Sequence, residues 1–562
     1  MDRRFLLAIV LTIGVIVVSN YLFPPPRAAT PIAGTDSVAA AAPSVAPPTT
    51  DAAATLAAAP TIAAGAAPVD GSRSAARTIV RADTVVLRTP RAAFEFGSMG
   101  AAPLSVRLDE YRRLGSRKGV QEPATIRSTG APLMRYAVLA AGDTVRFDEV
   151  PFAVSRSQVG DRQTIEFRGT ERGITLEVRY QADTSLATAY RLFTRVRVEG
   201  APANAFLRLE MPRGFESQES VPDEDATYLS YAFKPVKRSA SSIAFSSPDP
   251  GEMKLENGPF TWLAAKNKYF VVGLVSDSLR TPFEELHVTG RERVNKVATV
   301  AEAQVYATLA RGPVEFEWYA GPQAWERLRM VGREFENVNP YGGWLQGAVQ
   351  PFATIVMRVL LWMKRTTGLS YGWILIVFAV AVRVILWPMN QSAMRSSLKM
   401  QRVQPELQAT QEKFKGDPQQ LQAEMMKVYK SHGMSPLSPL MGCLPLLIPM
   451  PILFALFFVF QNTIEFRGVS FLWLPDISLA DPLYVFPILM AVSMYALSWL
   501  GMRNAPPNPQ AKMMSWLLPG MMLVMFLNFA SGLTLYYFVQ NLAALPQQWL
   551  IANERSKALP VA

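Results

Sequence analysis

The last third of the chain carries five apolar runs: Tyr371–Asn390, Leu437–Gln461, Pro482–Leu500, Met513–Phe529 and Leu533–Ile551. Each is near the roughly 20 residues that a helix needs to cross about 30 Å of hydrocarbon. Hydrocarbon supplies no partner for backbone N–H and C=O groups, so runs of this kind fold as helices that satisfy themselves. A sixth run, Phe5–Phe23, follows Arg3 and Arg4 and stops at Pro24-Pro25-Pro26. A cleaved signal peptide has an apolar core of only about 7–15 residues. The longer run here favours an uncleaved anchor over that alternative.

Loop charge orients the spans. The segment 391–436 carries Arg395, Lys399, Arg402, Lys413, Lys415, Lys427 and Lys430, and the segment 501–512 carries Arg503 and Lys512. The segment 462–481 has only Arg467, beside Glu465, Asp476 and Asp481. Cytoplasmic loops are rich in Lys and Arg, which puts the first two inside and the third outside. Counting spans from a cytoplasmic N-terminus gives the same topology: six spans with both termini inside.

The expected fold class is therefore a multi-domain membrane protein. Residues 1–23 form the anchor, and 24–77, rich in Ala and Pro, a disordered external tether. Residues 78–321 change to short alternating runs such as Thr164–Arg168, Ile174–Val178 and Leu192–Val198. Period two with Gly and Asp punctuation predicts an antiparallel β-sandwich. Residues 322–370 form a connector whose end, Trp344–Thr367, reads as an amphipathic helix on the outer membrane face. A five-span core follows over 371–551, then a short tail, 552–562. Within the core, 391–432 is a basic helical hairpin. Gly416 suits a helix end, Asp417 an N-cap and Pro418 a first helical position. That hairpin is either a solvated spacer or a contact surface for arriving chains, lipid or ribosome.

Composition removes several classes of chemistry. The chain has one cysteine, Cys443, and two histidines, His287 and His432, and lacks CxxC, HExxH and Gly-rich phosphate motifs. No metal, thiol or nucleotide chemistry has a visible home, so no cofactor is expected and the chain does not read as an enzyme. A net charge of +11 with 50% hydrophobic residues favours anionic lipid headgroups as partners. RNA contact is a second basic-surface role, and DNA is not expected.

One residue breaks the apolar pattern. Arg383 lies inside VFAVAVRVILWPM (377–389), and none of the six runs contains Asp or Glu. A guanidinium at the centre of a span costs roughly 2.5–3.5 kcal/mol and ordinarily pairs with a carboxylate or faces a wet cavity. Snorkelling of the Arg stem to the interface is the alternative. A hydrated cavity would await a transient anion, lined by Asn528, Thr534, Tyr536, Tyr537, Gln540 and Asn541. Its softer walls would include Met441, Met450 and Leu453 on the third span and Met521 and Met525 on the fifth. Methionine adapts to varied partners.

The stretches AVRVILWPMNQSAMRSSLKMQRVQPELQ (381–408), GDPQQLQAEMMKVYKSHGMSP (416–436), PLMGCLPLLIPMPILFALF (439–457), DPLYVFPILM (481–490) and SGLTLYYFVQNLAALPQQWLI (531–551) together closely resemble the YidC/Oxa/Alb family of membrane protein insertases. The long external domain, with WLAAKNKYF (262–270) and YAGPQ (319–323), resembles the Gram-negative type. The resemblance implies insertion of nascent membrane proteins, alone or beside the Sec translocon. It also implies a hydrophilic groove centred on Arg383, an apolar slide along the third and fifth spans, and an external β-supersandwich. Weak ribosome or substrate contact would fall to Arg395, Lys399, Arg402, Lys413, Lys415, Arg503 and Lys512, because the tail after Ile551 is short. The competing reading is a small-anion transporter that uses Arg383 as its binding site.

Overall fold

The computed structural model describes residues 83–115, 121–140, 142–202, 204–276, 282–293, 297–341, 346–391, 403, 406–407, 409–414, 416–432, 450–503 and 509–558. The expected anchor 1–23 and tether 24–77 lie outside the described residues.

Residues 84–322 form an all-antiparallel external domain of three sheets, with four, nine and six strands. The alternating runs noted in the sequence become neighbouring strands of the nine-stranded sheet: Arg162–Glu171, Ile174–Asp183 and Arg191–Glu199. Their register sets Phe167 opposite Val178, and Val178 opposite Val196, all fully buried. Side chains of period two thereby bring one apolar face together across the ladder. Phe96 of the four-stranded sheet meets Tyr180 at 4.5 Å with the rings tilted, and Phe94 meets Trp318 at 6.0 Å, which joins the sheets in one core.

Several strands depart from the alternating expectation, two of them adjacent within the nine-stranded sheet. Phe260–Lys266 and Phe270–Ser276 are buried at nearly every position, because both faces are covered. The second cover is the connector: Phe335 packs edge-on against Trp262 at 5.3 Å. Gly273 makes room for it, since a Cβ there would lie 2.6 Å from the Phe335 ring.

The connector continues through helix Trp325–Val331 into helix α1, Gln346–Thr367. Gly368, at φ +69°, ends α1 in the left-handed conformation that suits glycine. The chain then turns by 120° into α2, Tyr371–Ile385. The buried face of α1, Ala353, Val356, Met357 and Leu360, belongs to the cluster that joins the helices, while its exposed face also carries Phe352, Ile355 and Trp362. Apolar surface on both sides suits a helix between protein and lipid better than one between protein and water.

Helix α3 spans Pro418–Ser431, α4 Met450–Asn462, α5 Val485–Met502, α6 Pro509–Phe526 and α7 Ser531–Ala558. Asp417 caps α3 by accepting from the N–H groups of Gln419 and Gln420. Val403, Leu407 and Tyr429 are buried together in the hairpin seam. Among the described residues, α5 alone is long and apolar enough by itself to cross a membrane. The run 371–390 is shorter as a helix than the sequence suggests. Pro388 has no N–H to offer the carbonyl of Val384, and α2 closes at Leu386 before a further turn to Gln391. Large apolar side chains stay exposed along these helices, including Val377, Val384, Ile488, Val492 and Val524.

The loop between α4 and α5 locks the helical region to the external domain. Arg467 places its Nε 2.8 Å from a Glu219 carboxylate oxygen and donates through Nη1 to the Arg112 carbonyl, with both side chains under one-tenth exposed. Two acids of this loop hold backbone. Asp481 accepts from the N–H groups of Leu483 and Phe486, and Asp476 from those of Gly468 and Ser478. Glu465 sits nearby with Oε2 buried and unpartnered among the described residues.

Removing one member of a buried pair strands the other. Arg467→Ala is expected to cost roughly 3–5 kcal/mol at this junction, with most of it recovered in the Arg467→Met/Glu219→Leu double variant. Thermal unfolding of the purified variants checks this. Burial pushes the Glu465 carboxyl up to about 7, assisted by Glu326 and opposed by Arg327 and the Trp325 N–H. An unfolded carboxyl is ionised in the window between its ordinary value and 7, while the folded one holds its proton there. The junction therefore gains stability as pH falls through that window and loses it as pH rises. Hydrogen exchange over 462–481, corrected for intrinsic rate, should be slower at about pH 5.5 than at about pH 8.

Candidate functional site

The polar residues at the core of the helical region are arranged along the contact between α2 and α7. On α2, Ala379, Arg383 and, one turn beyond, Trp387 follow one another at intervals of four, so they share a face. On α7, Tyr536, Gln540 and Gln547 do the same at offsets of four and seven. The two faces meet. Gln540 donates from Nε2 to the Ala379 carbonyl at 2.8 Å and to the Tyr536 hydroxyl at 2.9 Å. The Tyr536 ring lies 6.0 Å from Phe378.

Gln547 completes the arrangement. Its Oε1 accepts from Arg383 Nη2 at 2.8 Å, and its Nε2 donates to the Trp387 carbonyl at 3.1 Å and to Gln391 Oε1 at 3.2 Å. The side chain is fully buried. One amide thus serves a backbone carbonyl and a guanidinium at once. Arg383 is half-buried, and its Nε is buried without a partner among the described residues. Its partner here is a neutral amide, not a carboxylate.

The remaining expected groove residues separate. Tyr537 turns to α6, with its ring 5.1 Å from Phe526 and its hydroxyl buried without a partner among the described residues. Asn541 donates to Ser493 Oγ and the Met490 carbonyl on α5. Thr534 is fully buried in the first turn of α7 and donates to the Ala530 carbonyl. Asn528 does not join Arg383: it lies beyond the end of α6, in a small cleft with Glu224 and Lys268 of the external domain. The cause is helical direction, since 528 falls at the external end of the span and Arg383 near the other end of α2. Met521 and Met525 are half-buried on α6.

Comparison with known proteins gives two family-model matches. Residues 84–355 match the YidC periplasmic domain, and 362–558 match the 60Kd inner membrane protein family. Curated relatives named "Membrane protein insertase YidC" include one from Prosthecochloris aestuarii, 30% identical over 72% of this chain and 71% of that protein. The chain belongs to the YidC family. A relative of the same name from Chloroherpeton thalassium is 33% identical over 62% of this chain, and the match spans 61% of that protein's length. For the relative from Chlorobaculum tepidum, 34% identical, the match spans about half of its length, 51%. A solved structure titled "Active YidC insertase crystal structure with the first transmembrane domain resolved" aligns over 84% of this chain and 93% of its own, at 18% identity and a TM-score of 0.33. Family membership makes this an inner-membrane protein type with a periplasmic domain, so the external β-domain is periplasmic.

Of the expected cytoplasmic contact residues, Lys413 and Lys512 are exposed, and Arg503 caps the C-terminus of α5. Arg395, Lys399, Arg402, Lys415 and Met441 lie outside the described residues, as do the side chains of Met450 and Leu453. Sequence reasoning missed Gln547 and Gln391. The available signal was spacing: Gln547 stands seven residues after Gln540, on the same face of one helix.

Replacing Gln547 by Leu strips partners from Arg383, the Trp387 carbonyl and Gln391. The expected loss is about 1–3 kcal/mol. Gln547→Glu, which offers Arg383 a carboxylate, should lose less. Thermal unfolding in one detergent, with both variants beside the parent, decides it.

Proposed function

We propose that this chain is a membrane protein insertase and chaperone for newly synthesised inner-membrane proteins, working alone or with the Sec translocon. The observation that carries the reading is the state of Arg383, a cation among apolar helices whose described partner is the neutral amide of Gln547. A guanidinium has five donors and no acceptor, so one amide oxygen leaves capacity for an arriving anionic or polar group.

In this mechanism the polar tail of a nascent chain enters from the cytoplasm and exchanges water for Arg383, Gln540 and Tyr536. Its apolar segment moves along α4 and α6 into lipid, where each central Leu, Ile, Phe or Val contributes roughly 0.3–0.6 kcal/mol. A membrane potential positive outside adds about 2.3 kcal/mol per acidic charge per 100 mV. Basic residues of the hairpin and of the α5–α6 loop face ribosomes and anionic lipid. Six spans with both termini cytoplasmic accompany the reading.

Proteoliposomes of the full chain, given a short single-span substrate with an acidic tail, test it. A charge-assisted hydrogen bond contributes roughly 1.5–3 kcal/mol, so Arg383→Ala should slow insertion about tenfold or more. Arg383→Lys should retain part of the rate, having the charge without the planar fork. Undiminished insertion by Arg383→Ala would remove the electrostatic role of this residue.

A further inference from the structure

Between the ends of α5 and α6 nearest the 501–512 loop lies a cavity of about 460 Å3. That volume falls within the roughly 300–1,000 Å3 of small-molecule sites. Met494, Leu497, Met502, Met514 and Leu518 give it apolar walls, and Gln548 enters from α7. Gly501 permits that entry, because a Cβ there would sit 2.5 Å from Gln548 Nε2. The Oε1 of Gln548 is buried and has no hydrogen-bond partner among the described residues. The chamber is therefore greasy below and carries one unfilled acceptor at the level of Gly501.

Each helix also carries an exposed tryptophan next in sequence to a lining residue. Trp499 on α5 and Trp516 on α6 are 55% and 61% exposed, and tryptophan concentrates where headgroups meet hydrocarbon. Just beyond, Arg503 ends α5, and Lys512 lies exposed a turn before the cavity-lining Ser515, whose Oγ donates to the Lys512 carbonyl. No carboxylate is among the lining residues. Cations at phosphate depth, an acceptor beside them and a methionine-lined chamber beneath match the order of groups along a phospholipid.

We propose that this cavity is a binding site for a glycerol-headed anionic phospholipid. The phosphate sits against Arg503 and Lys512, a headgroup hydroxyl donates to Gln548 Oε1, and one acyl chain occupies the chamber. Methionine walls suit a chain whose bends vary. A choline lipid offers neither the net negative charge nor the hydroxyl. The site lies apart from the α2–α7 contact and does not depend on the insertase reading.

The test uses the full chain in nanodiscs of mixed phosphatidylglycerol and phosphatidylcholine, extracted gently, with retained lipid counted by native mass spectrometry. The parent should prefer phosphatidylglycerol by a factor on the order of ten, as two interfacial cations would produce. Arg503→Gln/Lys512→Gln should lose that preference while still retaining lipid. Ser498→Trp, which fills the chamber, should retain neither lipid above background. Equal retention of the two lipids by the parent would overturn the proposal, as would unchanged phosphatidylglycerol retention by Ser498→Trp. A photocrosslinker at Ser498 that captured residues 5–23 of the chain, in place of lipid, would assign the cavity to that segment and also overturn it.

Discussion

A guanidinium placed among membrane helices cannot be left dry. Arg383 brings five donors into a region where the six apolar runs supply no Asp or Glu, and the amides of α7 answer part of that demand. Gln547 is buried completely and spends both ends of its amide, one on Arg383 and one on the Trp387 carbonyl and Gln391. Gln540, two turns earlier on the same helix face, bonds the Ala379 carbonyl one turn before Arg383. The α2–α7 contact is thus held by amides that satisfy backbone and cation together, which an apolar seam could not do. Substitution at Gln547 should accordingly be felt through both helices.

A second charged contact governs the other end. Arg467 and Glu219 are both nearly inaccessible, and the arginine also donates to the carbonyls of Arg112 and Gln218. Burial pushes the Glu219 carboxyl up to about 7 even against the pull of Arg467. A buried pair of this sort contributes little net stability and fixes geometry strictly, because either partner alone is costly. Here it specifies how the periplasmic domain sits on the loop between α4 and α5.

Much of this was legible in the sequence, and the parts that were not share a cause. Period-two runs such as Ile174–Val178 announced strands because one face of the sheet is buried. Phe260–Lys266 and Phe270–Ser276 hid theirs, because a connector residue far along the chain, Phe335, covers the second face. Arg383 stood out because charge is rare in an apolar run. Its partner did not, since glutamine at Gln547 has no composition signal and only helical spacing links it to Gln540. Asn528 was misplaced for a related reason: polarity within a span says nothing of depth. Asp476 and Asp481 counted in the sequence only as loop charge, yet each is committed to neighbouring N–H groups, a role set by loop geometry.

The Asp481 carboxylate bonds the N–H groups at the start of α5 while Arg467, on the same loop, is anchored in the β-domain. Tilt of α4 or α5 therefore cannot be absorbed by that loop as by a slack tether. A change of tilt there strains the Arg467–Glu219 pair, which couples the posture of the helices to the domain above them.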